Sequence, residues 1–214
     1  KNEFFRKLAG NKIPSSCHFE LTYLCNYKCI HCYQDHSEAK VGKTLATEDV
    51  LRILCLLAEE GVLFIGFTGG EIFLRKDIFQ ILEYARTLGF IVKLQTNGSF
   101  IDERVTHELN RLGINKVVLS FYSTDEKVFD MITGIKGAFR QTLRAIDLLR
   151  EHRIPFHLVG TLMRHNYESF FDTVKFVRNN RYSFSWGNLL LPLSDENKAR
   201  KINANLSSRR LLNT

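Results

Sequence analysis

Residues 24–33 read Leu-Cys-Asn-Tyr-Lys-Cys-Ile-His-Cys-Tyr and hold three cysteines, Cys25, Cys29 and Cys32. Three soft thiolates in so short a loop suit an iron-sulfur cluster or zinc, because they can converge on one metal centre. A four-iron cluster bound by three cysteines keeps one iron open for a small molecule, whereas structural zinc takes a fourth protein ligand. The number of cysteines therefore favours a cluster with an open iron.

Short β-rich runs and amphipathic helices alternate along the rest of the chain. The predicted strands cover residues 18–23, 63–67, 91–95, 116–121, 156–163 and 182–190. The predicted helices cover residues 48–60, with Thr47 as N-cap, and 77–88, 102–112, 139–152 and 167–179, with an irregular segment before residue 139. Six strands separated by helices predict an α/β fold with one parallel sheet. The periodicity leaves open whether the sheet is flat or curved.

Chemically distinctive residues follow the carboxyl ends of successive predicted strands. The cysteine loop follows the first strand, Gly69-Gly70-Glu71 the second and Asn97-Gly98 the third, and Ser120 ends the fourth. Each feature alone has a structural explanation, since such turns and helix starts need no ligand. Parallel α/β folds bind ligands at this edge of the sheet, so the four features together predict a binding site there.

The cysteine spacing C-x3-C-x2-C after the first strand, followed by Gly-Gly-Glu after the second, resembles the radical S-adenosylmethionine (AdoMet) enzymes. His31 stands where that family has an aromatic residue before the last cysteine, and the resemblance spans residues 19–190. It implies a partial (β/α)6 barrel of parallel strands, similar to an incomplete TIM barrel. It also implies a [4Fe-4S] cluster held by Cys25, Cys29 and Cys32, with AdoMet on the open iron. The alternative is zinc bound with His31, His36 or His18.

The resemblance assigns further residues to AdoMet. Gly69 and Gly70 would approach its amino group, since residues without a Cβ permit so close an approach. Glu71 would accept a hydrogen bond from the ammonium group. Asn97 would face the cofactor and Ser120 would bind the ribose. The residues that would flank or pack on the adenine are His31, Tyr33 and Leu162.

The implied reaction is reductive cleavage of AdoMet to a 5′-deoxyadenosyl radical, which abstracts a substrate hydrogen. Segments 120–125, 130–134 and 137–139 resemble enzymes that crosslink, epimerise or form thioethers in ribosomally made peptides. Maturation of a tetrapyrrole or small cofactor is the alternative activity. A non-catalytic metal-binding interaction domain is the alternative of another class. The implied partners are a peptide or small-molecule substrate and a reductant such as flavodoxin or ferredoxin.

Peptide-modifying members usually carry a cysteine-rich C-terminal extension, the SPASM or twitch type, which holds auxiliary clusters. This sequence has no cysteine after Cys55, so its residues cannot build such clusters. A naturally short enzyme and a chain without its C-terminal part would both explain this departure.

Composition bounds the remaining classes of function. The net charge of +7 suggests nucleic acid, but much of the excess lies in a short tail. The basic residues of that tail, which has no acidic residue after Glu196, are Lys198, Arg200, Lys201, Arg209 and Arg210. We therefore expect no nucleic-acid partner. Without a long apolar run or a secretory pattern, and with clustered cysteines, we expect a cytoplasmic protein that does not enter the membrane.

The expected organisation is a lead-in over residues 1–17, a radical AdoMet core over 18–192 and a basic tail over 193–214.

Overall fold

The computed structural model describes residues 14–34 and 44–187. Within these ranges six strands form one sheet, and every neighbouring pair is parallel. The strands are β1 (Ser16–Glu20), β2 (Phe64–Thr68), β3 (Ile91–Thr96), β4 (Lys116–Ser120), β5 (Phe156–Thr161) and β6 (Phe184–Gly187). Their order in space follows their order in the chain, so β1 and β6 are the edges of an open sheet. The predicted parallel α/β fold is confirmed.

The expected domain boundaries remain predictions, because residues 1–13 and 188–214 lie outside the described ranges. The same holds for the last three residues of the predicted sixth strand.

Helices cover the outer face of the sheet. They are α1 (Thr47–Glu59), α2 (Ile78–Thr87), α3 (Glu103–Arg111), α4 (Glu126–Thr133), α5 (Ala138–Glu151) and α6 (Phe170–Asn179). Alternate residues of each strand pack against them: Leu94 of β3 and Leu119 of β4 are fully buried in this layer. The other alternation forms the inner face, where the polar residues lie. No helix among the described residues is long and apolar enough to span a membrane.

Helix α4 corrects the sequence analysis, which expected an irregular segment there. Asp125 caps its start, with Oδ1 accepting from the backbone N–H groups of Lys127 and Val128 at 2.8 and 3.2 Å. Gly134 ends it in the left-handed conformation, with φ of 70°. These are ordinary start and stop signals, but they enclose only eight residues, which is too short for a clear period.

The predicted N-cap of α1 is wrong. Ala46 occupies the cap position, and Thr47 is already helical. The Thr47 hydroxyl instead donates to Asp77 at 2.7 Å, and the same carboxylate accepts two hydrogen bonds from Arg75. Arg75 also donates to the carbonyl oxygen of Leu21, so this cluster joins the end of β1 to the start of α1. The Arg75 guanidinium holds the pKa of Asp77 below its usual value.

One buried amide fixes the carboxyl ends of β4 and β5. Asn166 is fully buried, and its Oδ1 accepts from the backbone N–H of Met163 at 2.7 Å. Its Nδ2 donates to the carbonyl oxygens of Tyr122 and Thr161, both at 2.9 Å. These two residues continue β4 and β5, so Asn166 sets the spacing of the two strand ends.

We expect Asn166→Ala to lower the free energy of unfolding by about 2 to 4 kcal/mol, because it leaves three buried backbone groups without their partner. The matched control is Asn110→Ala, whose exposed amide makes one hydrogen bond to His152 and should cost less than about 1 kcal/mol. Urea unfolding of both variants measures the difference. Equal losses would show that the buried amide has no special role.

Candidate cofactor site

A cavity of about 350 Å³ opens on the inner face of the sheet, at the carboxyl ends of the strands. Cys25, Cys29 and Cys32 all lie in its wall, together with His31 and Tyr33 from the same loop. The wall also contains the remaining predicted site residues Gly69, Gly70, Asn97 and Ser120. The structure therefore brings nine of the eleven predicted residues to one cavity.

Glu71 and Leu162 are the two predicted residues that are absent from this wall. Leu162 follows β5, whose inner-facing residues are Val159 and Thr161, and alternation along the strand puts these two residues in the wall instead. Contact between Leu162 and adenine remains a prediction that the cavity wall does not support. Glu71 is fully buried behind the wall.

Sequence reasoning missed several wall residues, among them Gln95, Val118 and Tyr122. Their signal was the strand alternation, since Val118 and Tyr122 lie two residues before and after Ser120. The Tyr122 ring meets His31 edge-on, with 4.7 Å between ring centroids. Burial raises the pKa of Tyr122 far above its usual value, so its phenol stays protonated. Tyr122 therefore helps to orient His31 in the wall.

Tyr33 lines the cavity from the end of the cysteine loop. Its hydroxyl donates to Glu20 Oε1 at 2.8 Å, across from the end of β1. Burial and then this carboxylate raise the pKa of Tyr33 to about 12, so the phenol keeps its proton.

The cysteine loop is held by backbone hydrogen bonds to the end of α4. The N–H groups of Lys28 and Ile30 donate to the carbonyl oxygens of Thr133 and Ile132, each at 2.9 Å. Gly134 follows directly, and a Cβ there would lie 2.9 Å from the Lys28 carbonyl oxygen. Helix α4, which the sequence analysis did not predict, thus positions the cysteine loop, which the sequence analysis did predict.

The surroundings of the cysteine thiols disfavour their charged form. Burial, and after it the neighbouring Cys25 and Cys32, raise the pKa of Cys29 to about 12. Burial is also the main cause of the raised pKa of Cys25. The described cavity wall contains no lysine or arginine. Three adjacent thiolates therefore need a bound cationic centre to compensate their charge, which is what the irons of a cluster supply.

The arrangement fits a cluster better than a single zinc ion. Among residues 14–34 and 44–187, no three histidine, cysteine or acidic side chains are grouped closely enough to hold one metal ion. In a four-iron cluster each cysteine binds a different iron, so the three thiols need not converge on one metal ion. Of the other proposed zinc ligands, His18 packs over Gly66, and His36 lies outside the described residues.

The glycines of the Gly-Gly-Glu turn are required for a different reason than the sequence suggested. A Cβ at Gly69, where φ is 144°, would overlap the carbonyl oxygen of Thr22, and one at Gly70 would overlap that of Leu24. The Gly70 N–H donates to the Thr22 oxygen at 2.7 Å. The missing side chains make room for the backbone that leads into the cysteine loop. Their predicted contact with the AdoMet amino group remains a prediction.

Glu71 joins the second turn to the third. Its Oε1 accepts from the backbone N–H of Phe73 at 3.1 Å, and its Oε2 accepts from that of Asn97 at 2.8 Å. The Thr96 hydroxyl lies 2.8 Å from both oxygens. Burial raises the pKa of Glu71 to about 7, whereas these hydrogen bonds favour the charged form. The Glu71 carboxylate thus accepts hydrogen bonds from groups of the protein itself. Its predicted bond to the AdoMet ammonium remains a prediction.

Asn97 extends this linkage to the cysteine loop. Its Nδ2 donates to Asn26 Oδ1 at 2.9 Å, and Asn26 in turn donates to the Ser99 hydroxyl at 2.9 Å. Asn26 follows Cys25 directly. A continuous chain of contacts therefore runs from Glu71 through Asn97 to the first cysteine.

We expect Gly70→Ala to lower the free energy of unfolding by about 2 to 4 kcal/mol and to reduce iron loading, because the new Cβ displaces Leu24 beside Cys25. Gly187→Ala is the matched control, since among the described residues a Cβ there meets only one atom, at 3.9 Å. Urea unfolding and iron content measure both effects. A Gly70→Ala protein that matches Gly187→Ala would contradict this role of the turn.

We expect Glu71→Gln to cost about 2 to 4 kcal/mol of unfolding free energy, nearly as much as Glu71→Ala. Either orientation of the amide turns its NH₂ group toward a backbone N–H, of Phe73 or of Asn97, so one donor faces another. The control is Glu151→Gln at the exposed end of α5. If Glu71→Gln unfolds like wild type, the carboxylate does not hold the turns together.

Comparison with known proteins agrees with this geometry. A model of the Radical SAM superfamily matches residues 19–177. The subtilosin biosynthesis protein AlbA of Bacillus subtilis is 32% identical over 184 residues, which is 83% of this chain and 41% of AlbA. The AdoMet-dependent heme synthase of Methanosarcina barkeri is 28% identical over 171 residues, or 80% of this chain and 49% of the synthase. The chain thus spans less than half the length of these curated relatives.

Solved structures share the fold. Streptococcus suis SuiB bound to the precursor peptide SuiA superposes with a TM-score of 0.78 at 21% identity, over 99% of this chain and 48% of SuiB. The structure of anSMEcpe with bound AdoMet gives a TM-score of 0.73 at 22% identity, over 86% of this chain and 53% of that one. The likeness confirms the predicted partial (β/α)6 barrel. With its family model matched from residue 19 to residue 177, the chain belongs to the radical SAM superfamily.

Proposed function

We propose that this chain is the core of a radical AdoMet enzyme that modifies a ribosomally made peptide by a crosslink, a thioether or an epimerisation. The observation that carries the proposal is the single cavity in which Cys25, Cys29 and Cys32 meet the turns after β2 and β3. The bound [4Fe-4S] cluster and AdoMet would supply a 5′-deoxyadenosyl radical for abstraction of a substrate hydrogen.

The residues of the wall have distinct tasks in this proposal. The three cysteines bind three irons, and the backbone of Gly69 and Gly70 faces the methionine part of AdoMet. Asn97 and Ser120 bind the amino-acid and ribose parts, while His31 and Tyr33 flank the adenine. Glu71 positions the turn at Asn97, in addition to its predicted bond to the AdoMet ammonium.

The cavity wall would also shield the radical reaction from water. Its inner strand positions carry uncharged side chains, including the apolar Val118 and Val159, and Phe129 adds an aromatic ring. Such a lining excludes water and offers no charged group to compete for the cofactor. Keeping competing reactions out of the cavity is the main task of a protein whose cofactor performs the difficult step.

Peptide as the substrate class is supported by two relatives. AlbA, named for subtilosin bacteriocin biosynthesis, reaches 32% identity, and SuiB was solved with a precursor peptide bound.

A second candidate is maturation of a tetrapyrrole or small cofactor. Its support is the 28% identity with an AdoMet-dependent heme synthase over 80% of this chain. We favour the peptide because the match to AlbA is longer and closer.

We further propose a cytoplasmic enzyme supplied with electrons by a donor such as flavodoxin or ferredoxin. The five described cysteines are all free thiols, which persist in a reducing compartment.

The test is anaerobic reconstitution with iron and sulfide, followed by dithionite and AdoMet and detection of 5′-deoxyadenosine by mass spectrometry. We expect product above a protein-free sample, and a loss of at least a hundredfold in Cys29→Ala, which removes a ligand. The matched control is Cys55→Ala, whose thiol lies on α1 beside Glu59, away from the cavity, and should keep full activity.

Absence of product from a protein with a complete four-iron cluster would favour the non-catalytic alternative, a metal-binding interaction domain. Binding of zinc in place of iron would contradict the proposal, because the proposed reaction needs the [4Fe-4S] cluster.

A further inference from the structure

A row of basic residues crosses the inner face of the sheet below the cofactor cavity. The register of the parallel strands aligns His18 with Gly66, Gly66 with Lys93 and Lys93 with Lys116. The two lysines lie two residues before the wall residues Gln95 and Val118 respectively. Because side chains alternate along a strand, both lysines project from the same inner face as the cavity wall.

The two lysines are direct neighbours of like charge. As register partners on adjacent strands, their backbones lie about 4.8 Å apart. Like charges directly opposite one another in a sheet are destabilising. Among the described residues, neither lysine has an ion pair, and Lys93 is only partly exposed. Within the described part of the chain, the inner face therefore carries a pair of neighbouring positive charges that no ion pair compensates.

The other ionisable groups on this face do not cancel that charge. His157 is fixed by the Ser183 and Ser185 hydroxyls at 2.7 and 2.8 Å. Burial and the nearby lysines lower the pKa of His157, so it is neutral at neutral pH. Glu20 is the one carboxylate on the inner face of the described strands, and it accepts the Tyr33 hydroxyl.

The neighbouring His18 packs over Gly66, and Lys116 at the end of the row is exposed. Its ring lies flat over Gly66, where an added Cβ would come within 3.0 Å of Nδ1. The absent side chain at Gly66 thus lets His18 pack down on the sheet beside Lys93.

We propose that Lys93 and Lys116 bind a carboxylate of the substrate, so that the peptide carries an acidic side chain close to the residue that is modified. This inference rests on the proposed function and deepens it by naming the substrate class. Lys93 lies about 6.6 Å along the strand from the cavity wall at Gln95, given a rise of about 3.3 Å per residue. An extended peptide has a similar rise, which separates the acidic and modified residues by about two positions.

The test measures binding of rhodamine-labelled hexaglutamate and hexaglutamine peptides to the reconstituted protein with AdoMet, by fluorescence anisotropy at low salt. We expect wild type to bind hexaglutamate at least tenfold more tightly than hexaglutamine. The K93Q/K116Q double variant should lose this preference, and K93R/K116R should keep it. The charge-matched control is K127Q/K175Q, which removes exposed lysines from α4 and α6 and should change affinity less than twofold.

Two results would overturn the carboxylate site: no preference for hexaglutamate in wild type, or an equal loss in K127Q/K175Q, which would reveal attraction by net charge alone. Urea unfolding checks the fold of K93Q/K116Q, whose midpoint should equal or exceed that of wild type because a repulsion is removed.

Formation of 5′-deoxyadenosine without substrate separates this inference from the proposed function. The K93Q/K116Q variant should keep wild-type cleavage of AdoMet, since neither lysine lies in the cavity wall. A wild-type protein that selects hexaglutamate but never cleaves AdoMet would refute the radical reaction and leave the carboxylate site standing. A wild-type protein that cleaves AdoMet but shows no preference for hexaglutamate would refute the carboxylate site and leave the radical reaction standing.

Discussion

The close backbone contact between the cysteine loop and the turn after β2 is the constraint on which the site depends. Pairing of β1 with β2 continues beyond the strands, as the N–H groups of Gly70 and Glu71 donate to the carbonyl oxygens of Thr22 and Leu24 at 2.7 Å. Only glycine fits where the two segments meet. This contact delivers Cys25 to the cavity and at the same time turns the Glu71 side chain inward, toward the third turn. One backbone geometry thus positions both the metal ligands and the opposite wall.

Charge is divided between two levels of the inner face. At the carboxyl edge the cavity wall contains no lysine or arginine, and burial raises the pKa values of the Cys25 and Cys29 thiols. Farther down the strands, Lys93 and Lys116 present positive charge to whatever enters from the open side. A cofactor bound at the cysteines and a substrate carboxylate bound at the two lysines would together neutralise the charged groups of the inner face. The proposed carboxylate site and the cofactor cavity thus lie at separate levels along the same strands.

Sequence reasoning predicted the features that depend on local spacing. The cysteine triplet, the turn at Gly69 and the alternation of strands and helices are each contained in a short window, and the structure assembles them as expected. It missed features that depend on which segments meet. The role of Glu71 needed the position of Asn97, and the pairing of Lys93 with Lys116 needed the strand register. Helix α4 was missed because its eight residues carry little periodicity.

The central claim is that three cysteines hold a four-iron cluster whose remaining iron is open to AdoMet. Iron-57 Mössbauer spectroscopy of the anaerobically reconstituted protein, recorded before and after AdoMet is added, tests it most directly. The account predicts about four irons per chain and a change at one of the four when AdoMet binds, since three protein thiolates leave one iron available. A spectrum that AdoMet leaves unchanged, or a protein that takes up one zinc ion and no iron, would contradict it.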